Sequence, residues 1–317
     1  MKYVVTGSAG FIGRHVCAEL LDHGHQVVGI DAFTDYYDPA CKRANSAWLE
    51  SQHGYHGVEL DLAVADLDEF CDGADVVIHL AGQPGVRLSW AEHFHVYVER
   101  NITVSQRVLE AARHTAVPRL VLASSSSVYG NASEYPTTED APTRPHSPYG
   151  VTKLAMEQLA TAYAANWQVP VVVLRYFTVY GPGQRPDMAI HRFIVQTDAG
   201  EPVVLYGDGE QVRDFTYVSD VAAATVAAST ADVPAAVVFN VAGGASSTVN
   251  GVLGLVAENV GRDVLIAREP EQAGDVRVTG GAIDRARQIL GWEPAIPLEE
   301  GIKRQVAYQL GGNHTRQ

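Results

Sequence analysis

The chain is poor in cysteine and in positive charge, and it contains no long apolar run. Its three cysteines, Cys17, Cys41 and Cys71, are odd in number and widely spaced. That pattern excludes a disulfide framework or a zinc set, so no metal site is expected, and it reads as reduced thiols in a cytoplasmic protein. No apolar stretch reaches the roughly 18 residues that suggest a membrane span. Met1-Lys2 leads straight into a first strand, which argues against a signal peptide. Lysine and arginine number 23 against 37 aspartates and glutamates, a net charge of −14. A surface of that sign disfavours nucleic acid as a partner. It also makes loop arginines informative, because an acidic protein that binds an anion must gather cations locally. Repeats, long linkers and low-complexity tracts are absent too. What remains is a chain of 317 residues, 46% of them hydrophobic, long enough for one large core or two joined lobes.

The first informative stretch is Thr6-Gly7-Ser8-Ala9-Gly10-Phe11-Ile12-Gly13. It follows the apolar Tyr3-Val4-Val5 and opens an amphipathic run ending near His23, so strand, tight turn and helix start follow one another. The spacing predicts a dinucleotide site. Gly7 permits the turn, Gly10 lets a pyrophosphate approach the backbone, and Gly13 lets the helix pack on its strand. Amides and dipole at the helix N-terminus favour an anion there. Three glycines alone also fit an ordinary strand–helix turn, so later residues decide.

Gln26 to Asp31 reads as a second strand ending in a carboxylate, placed where a dinucleotide domain holds the adenosine ribose. Ala32 and Phe33 bring no cation for a 2′-phosphate, which favours NAD over NADP. Residues 34–50 look irregular; Lys42 and Arg43 there reach the adenosine side or are solvated. Asp61-Leu62 suits the adenine amino group. Ala74 to Leu80 is nearly all apolar, as a parallel strand buried on both faces requires, and His79 within it reads as a hydrogen-bonded core histidine. Leu80-Ala81-Gly82 lets a cofactor lie close, and Arg87 sits in a loop at a ligand position of open α/β sheets. Residues 93–114 predict one long helix, in which Asn101 bonds the cofactor, bonds a neighbouring loop, or is solvated. The strand Arg119 to Ala123 runs into Ser124-Ser125-Ser126-Ser127-Val128-Tyr129-Gly130, either a flexible loop or a hydroxyl array. Ser147-Pro148 then starts a helix, with Ser at the N-cap and Pro at the first position. Strands and helices alternate throughout this half, predicting an α/β, Rossmann-type doubly wound parallel sheet.

Tyr149 and Lys153 lie four apart on that helix and share one face. Tyrosine, with an ordinary pKa of about 10, is a poor base at neutral pH. A lysine ammonium one turn away and an oxidised nicotinamide both favour its phenolate. The pair gains weight because the glycine turn, the serine-rich strand end and Tyr-x-x-x-Lys coincide.

These motifs resemble the extended short-chain dehydrogenase/reductase family, specifically its nucleotide-sugar epimerases and dehydratases, over nearly the whole chain. They are Gly7-x-x-Gly10-x-x-Gly13, Asp31, Asp61-Leu62, Ser124 to Gly130 and Tyr149-Gly150-Val151-Thr152-Lys153. The resemblance implies tightly held NAD, Tyr149 deprotonating a sugar hydroxyl, and Ser125 bonding that hydroxyl. Asp35-Tyr36-Tyr37-Asp38-Pro39, Gln83-Pro84-Gly85-Val86-Arg87 and Phe177 to Met188 are similar to UDP-glucuronate 4-epimerases. Many relatives carry Asn where this chain has Thr178.

The chemistry of such a reaction gives its own reason for Thr178 and Arg185. Oxidising C4 of a glucuronate makes a β-keto acid, which loses CO2 when the bond to the carboxylate aligns with the carbonyl π system. Ser126, Ser127 and Thr178 hydroxyls with the Arg185 cation suit holding the carboxylate out of that alignment. Residues 189–199 predict a helix. The resemblance further implies that Val203 to Phe215, with Val204 and Arg213, cradles the uracil and diphosphate, and that Arg192 is a weaker phosphate ligand. It implies that Asp275 holds the ribose and Arg277 the phosphates, although each arginine also fits an ordinary surface position. Ser246 to Val260 and Pro297 to Gln309 read as peripheral helices, and Gly311 to Gln317 as a frayed tail. The expected organisation is an NAD-binding domain over 1–176, with later segments returning to it, and a nucleotide-sugar lobe over 177–317. A homodimer through the helices at 93–114 and 149–166 is implied by the family alone.

The expected activity is NAD-dependent C4 epimerisation of UDP-glucuronate. Rival readings are a decarboxylase on the same substrate, a neutral-sugar 4-epimerase, and an NAD-binding regulator without catalysis. A 4,6-dehydratase is disfavoured because Ser126 and Ser127 stand where that class carries an Asp-Glu pair.

Overall fold

The computed structural model describes residues 1–244 and 246–311. Seven strands build the main sheet: β1 (Lys2–Thr6), β2 (Gln26–Asp31), β3 (Tyr55–Glu59), β4 (Val76–His79), β5 (Leu120–Ser125), β6 (Val171–Tyr176) and, much later, β10 (Val237–Val241). All pair in parallel, in the order β10-β6-β5-β4-β1-β2-β3. β4 and β6 are buried at every residue, as their apolar runs foretold for strands covered on both faces. The chain runs outward one way from β1 to β3 and the other way from β4 to β6. β1 and β4 are neighbours in the sheet, so their C-terminal ends open a crevice where open α/β sheets bind ligands.

One face of the sheet carries α1 (Phe11–Asp22) and α8 (Val218–Thr230), which pack on each other over Tyr3, Val5, Val16 and Leu20. The other face carries α5 (Val104–His114) and α6 (Pro148–Trp167) over Val4, Val77, Val108 and Met156. A second lobe has its own core of Tyr180, Phe193, Leu205, Phe215, Val252 and Ile302. Its elements are β7 (Thr178–Tyr180), α7 (Ala189–Ala199), β8 (Val203–Tyr206), β9 (Val212–Tyr217), β11 (Ser246–Thr248), α9 (Val249–Val260), β12 (Ile266–Glu269) and α11 (Leu298–Gly311). β11 and β7 flank β9, and β12 pairs with β8. α8 and β10 leave this lobe and return to the main sheet.

The local signals act as their chemistry requires at α6, where Ser147 accepts from the Gly150 amide at 3.1 Å and Pro148 fills the first turn. Three stretches differ from expectation. Residues 39–50, read as irregular, form α2 (Pro39–Glu50), capped by the Asp38 carboxylate on the Ala40 amide at 2.9 Å with Pro39 behind it. The predicted helix over 93–114 is segmented: α4 (Phe94–Tyr97), a wider π-turn over Val98–Thr103, then α5. Residues 246–248 are the strand β11, and α9 starts only at Val249 under a Thr248 cap. Helix α3 (Asp68–Cys71) and α10 (Asp284–Leu290) complete the helices. Of the predicted tail, residues 312–317 lie outside the described residues. No described helix is long and apolar enough to cross a membrane.

Candidate active site

The glycine turn is shaped by close approach. Gly7 has φ +70°, and a Cβ there would meet the Ala81 amide nitrogen at 2.8 Å. A Cβ on Gly13 would meet the Gly7 carbonyl oxygen at 2.0 Å. The turn therefore presses on the β4 exit, and α1 presses on the turn. Above it lies a cleft of about 390 Å³. It is lined by Gly7, Gly10, Phe11, Ile12 and Gly13, by Asp31, Lys42, Asp61 and Leu62, and by Leu80, Ala81 and Gly82. Ser125, Tyr149, Lys153, Thr178 and Arg185 line the same cleft. Residues from strand ends, loops and the helices α1, α2 and α6 thus meet over the β1–β4 crevice.

At the far end of the cleft, Asp31 accepts from the Phe33 amide at 2.8 Å. Lys42 is buried, donates to the Thr34 hydroxyl at 2.9 Å, and lies 3.9 Å from Asp31. Asp61 pairs with both terminal nitrogens of Arg100. Hydrogen bonds from Arg100 hold the Asp61 carboxyl below its ordinary range. Arg100 also lines the cleft, and sequence reasoning missed it.

At the near end, Ser125 and Tyr149 line the cleft together, and the Ser125 hydroxyl lies 3.1 Å from that of Ser127. Burial raises the Tyr149 pKa, while the neighbouring Ser125 hydroxyl and the charge of Arg185 pull it down. Tyr97 stands edge-on to the Tyr149 ring at 6.3 Å, its hydroxyl lying 2.8 Å from the Gly85 carbonyl. Lys153 sends its ammonium to the Ala123 carbonyl at 2.8 Å, and burial lowers its pKa to about 8 against an upward pull from Glu157. The Lys153 ammonium is thus held by β5 while its side chain lines the cleft with Tyr149, and Arg185 adds a second cation whose charge lowers the Tyr149 pKa.

Of the partners open to Asn101, the structure shows the loop. The π-turn points its amide inward, where it accepts from the Gln83 amide at 2.7 Å and donates to the Gln83 carbonyl and Thr152 hydroxyl, each at 3.0 Å. It is not among the cleft-lining residues. His79 is a core residue held by Thr6 at 2.8 Å and Ser105 at 3.3 Å.

Beneath the site lies a buried polar network that no motif announced. Glu157 accepts from Arg175 at 3.0 and 2.7 Å and from the Ser124 hydroxyl. Arg175 reaches the Tyr129 hydroxyl at 2.8 Å, and Tyr129 donates to Asn240 at 2.7 Å. The signal for Glu157 was its position four residues after Lys153, inside an apolar face.

The remaining candidates fall outside the cleft lining. Ser126 and Ser127 form a turn after β5, with the Ser127 hydroxyl 3.1 Å from Ser125. Arg87, Arg213 and Asp275 gather beside one another: Arg87 bonds Asp275 at 3.0 Å and lies 4.0 Å over the Tyr206 ring. Burial, and repulsion from Arg87, lower the Arg213 pKa, while Asp275 raises it. Arg277 is exposed and forked onto Asp208, both contacts 2.8 Å. Arg192 is half-buried on α7, and Val204 half-buried on β8. Among the described residues no cluster of metal-ligating side chains occurs.

A parallel sheet with a phosphate-type turn at its switch point, and a Tyr/Lys pair facing that turn, defines a nucleotide-cofactor enzyme of the α/β class. The model of the NAD dependent epimerase/dehydratase family matches residues 3–242. The chain belongs to that family. It is 41% identical over 309 residues to the uncharacterized UDP-glucose epimerase YtcB of Bacillus subtilis, covering 97% of this chain and 98% of that one. It is 38% identical over 311 residues to the UDP-glucuronate 4-epimerase of Thermodesulfobacterium geofontis, covering 96% and 94%. The Bacillus cereus UDP-glucuronic acid 4-epimerase, solved with UDP-glucuronic acid and NAD, superposes with a TM-score of 0.94 at 39% identity, covering 98% of this chain and 100% of that one.

Proposed function

We propose that this chain interconverts UDP-glucuronate and UDP-galacturonate by inverting C4, using NAD held in the cleft. The cradle fits the cofactor: positive φ at Gly7, no room for a side chain at Gly13, and small residues at Ala81 and Gly82 leave backbone facing the crevice. Asp31 and Lys42 border the ribose end, and Asp61 and Leu62 the adenine end. When bound, NAD would supply the hydride acceptor. Tyr149 takes the proton of the C4 hydroxyl and later returns one. Ser125 holds the phenol in place, and Lys153 anchors α6 against β5. Arg87 and Arg213, both beside Asp275, would hold the diphosphate, with Arg277 and Arg192 as further cations for it.

The observation that carries the uronate reading is Arg185. It lines the cleft together with Tyr149 and acts on its phenol, so a cation stands at the sugar end, with Thr178 beside the same space. A second reading, a neutral UDP-sugar 4-epimerase, is favoured by the pairing of Arg185 with Asp187 at 2.9 Å, which compensates that charge. Incubation with UDP-glucuronate, followed by NMR, tests the proposal. UDP-galacturonate is the expected product. Release of CO2 with a pentose product points to the decarboxylase. No turnover of UDP-glucuronate alongside rapid UDP-glucose/UDP-galactose exchange sinks the uronate reading.

We also infer a cytosolic homodimer with the cofactor lobe over 1–176, joined by α8 and β10. The three free thiols suit a reducing compartment, and Val151 and Trp167 on α6 stay about half exposed. Sedimentation at the mass of a single chain would refute the dimer.

A further inference from the structure

Asp187 does not itself line the cleft, but its partner Arg185 does. Both its oxygens engage Arg185, which reaches them through Nε and Nη2 at 2.9 Å each. That fork uses two of the five N–H groups of the guanidinium and fixes its plane. On the other side, the Tyr36 hydroxyl donates to Asp187 at 3.4 Å, across 151 residues of sequence. The Tyr36 ring lies 5.8 Å from the Arg185 guanidinium. Burial and the Asp187 charge push the Tyr36 pKa up to about 12, so this phenol remains a donor. Gly85 makes room for it, since a Cβ there would meet the Tyr36 oxygen at 2.6 Å. The charged and titratable groups around Arg185 are therefore Asp187, Tyr36, Tyr37, Lys42, Tyr97 and Tyr149. Asp187 is the carboxylate that pairs with it directly.

We propose that Asp187 sets the substrate preference of this site. By holding Arg185 in a forked pair it compensates the cation, so that a hydroxymethyl at the sugar's C6 is tolerated alongside a carboxylate. This rests on the 4-epimerase reading above. Removing the negative charge leaves Arg185 uncompensated and strengthens its attraction for a uronate, because two carboxylates no longer share one guanidinium. A neutral sugar gains no binding from the same change, and the effect on Tyr149 is common to both substrates. Asp187 is thus a positioning and charge-setting residue acting through Arg185, with no contact to the reacting carbon.

The test compares the NAD-loaded enzyme with Asp187→Asn and Asp187→Glu, using UDP-glucuronate and UDP-glucose as separate substrates and as ligands in calorimetry. In Asp187→Asn the ratio of kcat/KM for the glucuronate over the glucose is expected to rise about fivefold, the scale of one partly exposed charge pair. The change resides in KM for the glucuronate. With UDP-glucose, the pH limb assigned to Tyr149 moves to lower pH, because a freer Arg185 cation stabilises the phenolate. Asp187→Glu restores both. An equal loss on the two substrates, or a fall in glucuronate preference, overturns the proposal, since Asp187 would then only aim Arg185. Absence of epimerisation in the unsubstituted enzyme would instead defeat the functional reading, and calorimetry would still report the preference.

Discussion

Tyr149 is subject to opposed influences. Burial raises its pKa, and the neighbouring Ser125 hydroxyl and Arg185 charge lower it. With burial the largest of the three, the phenol stays above its ordinary range, so the reactive phenolate grows as pH rises. Turnover is therefore expected to climb with pH from neutral into the alkaline range. Tyr149→Phe should lower kcat by about 10²–10⁴-fold, the usual scale for losing a positioned proton-transfer group, and should abolish that climb. NAD content of the purified variant, read by absorbance after acid release, should stay that of the parent. A variant with parental rate and the same pH profile would remove Tyr149 from its role. Tyr149 and Lys153 were legible because a spacing of four on a helix is a short-range fact. The Asp61–Arg100 pair was not, for it joins residues 39 apart in sequence. Arg185 is legible as a cation beside the hydroxyls of Ser126, Ser127 and Thr178, but not as a paired one, although Asp187 stands two residues on; its relation to Tyr36 is visible only once two loops meet.

Helix α6 presents Tyr149, Lys153 and Glu157 at successive fourth positions, and each faces a different layer. Tyr149 meets the cleft, Lys153 the end of β5, and Glu157 the buried guanidinium of β6. The helix is thereby fixed in rotation at three heights, which keeps Ser125 and Tyr149 in register. Side chains of Glu157 and Arg175 are 5% and 6% exposed, so neither charge has water to fall back on. Glu157→Gln should cost about 3–5 kcal/mol, the range for breaking a buried pair from one side. Urea unfolding measures it, and a loss below about 1 kcal/mol would show the pair to be dispensable. At this scale the sequence disclosed most where caps are local. Ser147 announced α6, whereas Asp38-Pro39, the same kind of signal, was hidden in a stretch whose polar composition suggested a loop. The π-turn in the 93–114 helix left no pattern, because one extra residue per turn is set by where Asn101 must reach.

For the whole molecule the question is what joins the sugar lobe to the cofactor sheet, and Asp214 on β9 does much of it. It is 2% exposed and accepts from the Gly243 amide at 2.7 Å, just past β10, and from Gly281 at 3.2 Å. Its own amide donates to Thr279 at 3.3 Å. Two segments, the one just past β10 and the one around Gly281, are thus tied to the carboxyl on β9 beside Arg213. The contact is tight, as a Cβ on Gly243 would meet the Phe215 carbonyl oxygen at 1.9 Å. Burial pushes the Asp214 pKa up to about 6, against the pull of the backbone amides of Gly281, Gly243 and Gly244. A carboxyl with a folded pKa above its unfolded value of 3.8 binds more protons when folded, between those two values. Its contribution to stability is fully present below about pH 4 and is lost as pH rises through about 6. The loss amounts to about 3 kcal/mol for a shift of roughly two units. Other carboxylates titrate over the same range, so the comparison is with Asp214→Asn, which keeps an acceptor for the backbone amides but does not ionise. The stability difference between parent and variant, from urea unfolding at pH 4.5 and pH 7, should move against the parent as pH rises. A difference constant across that interval would mean that Asp214 ionises in the folded protein as easily as in the unfolded chain, and that burial between the lobes costs its charge nothing.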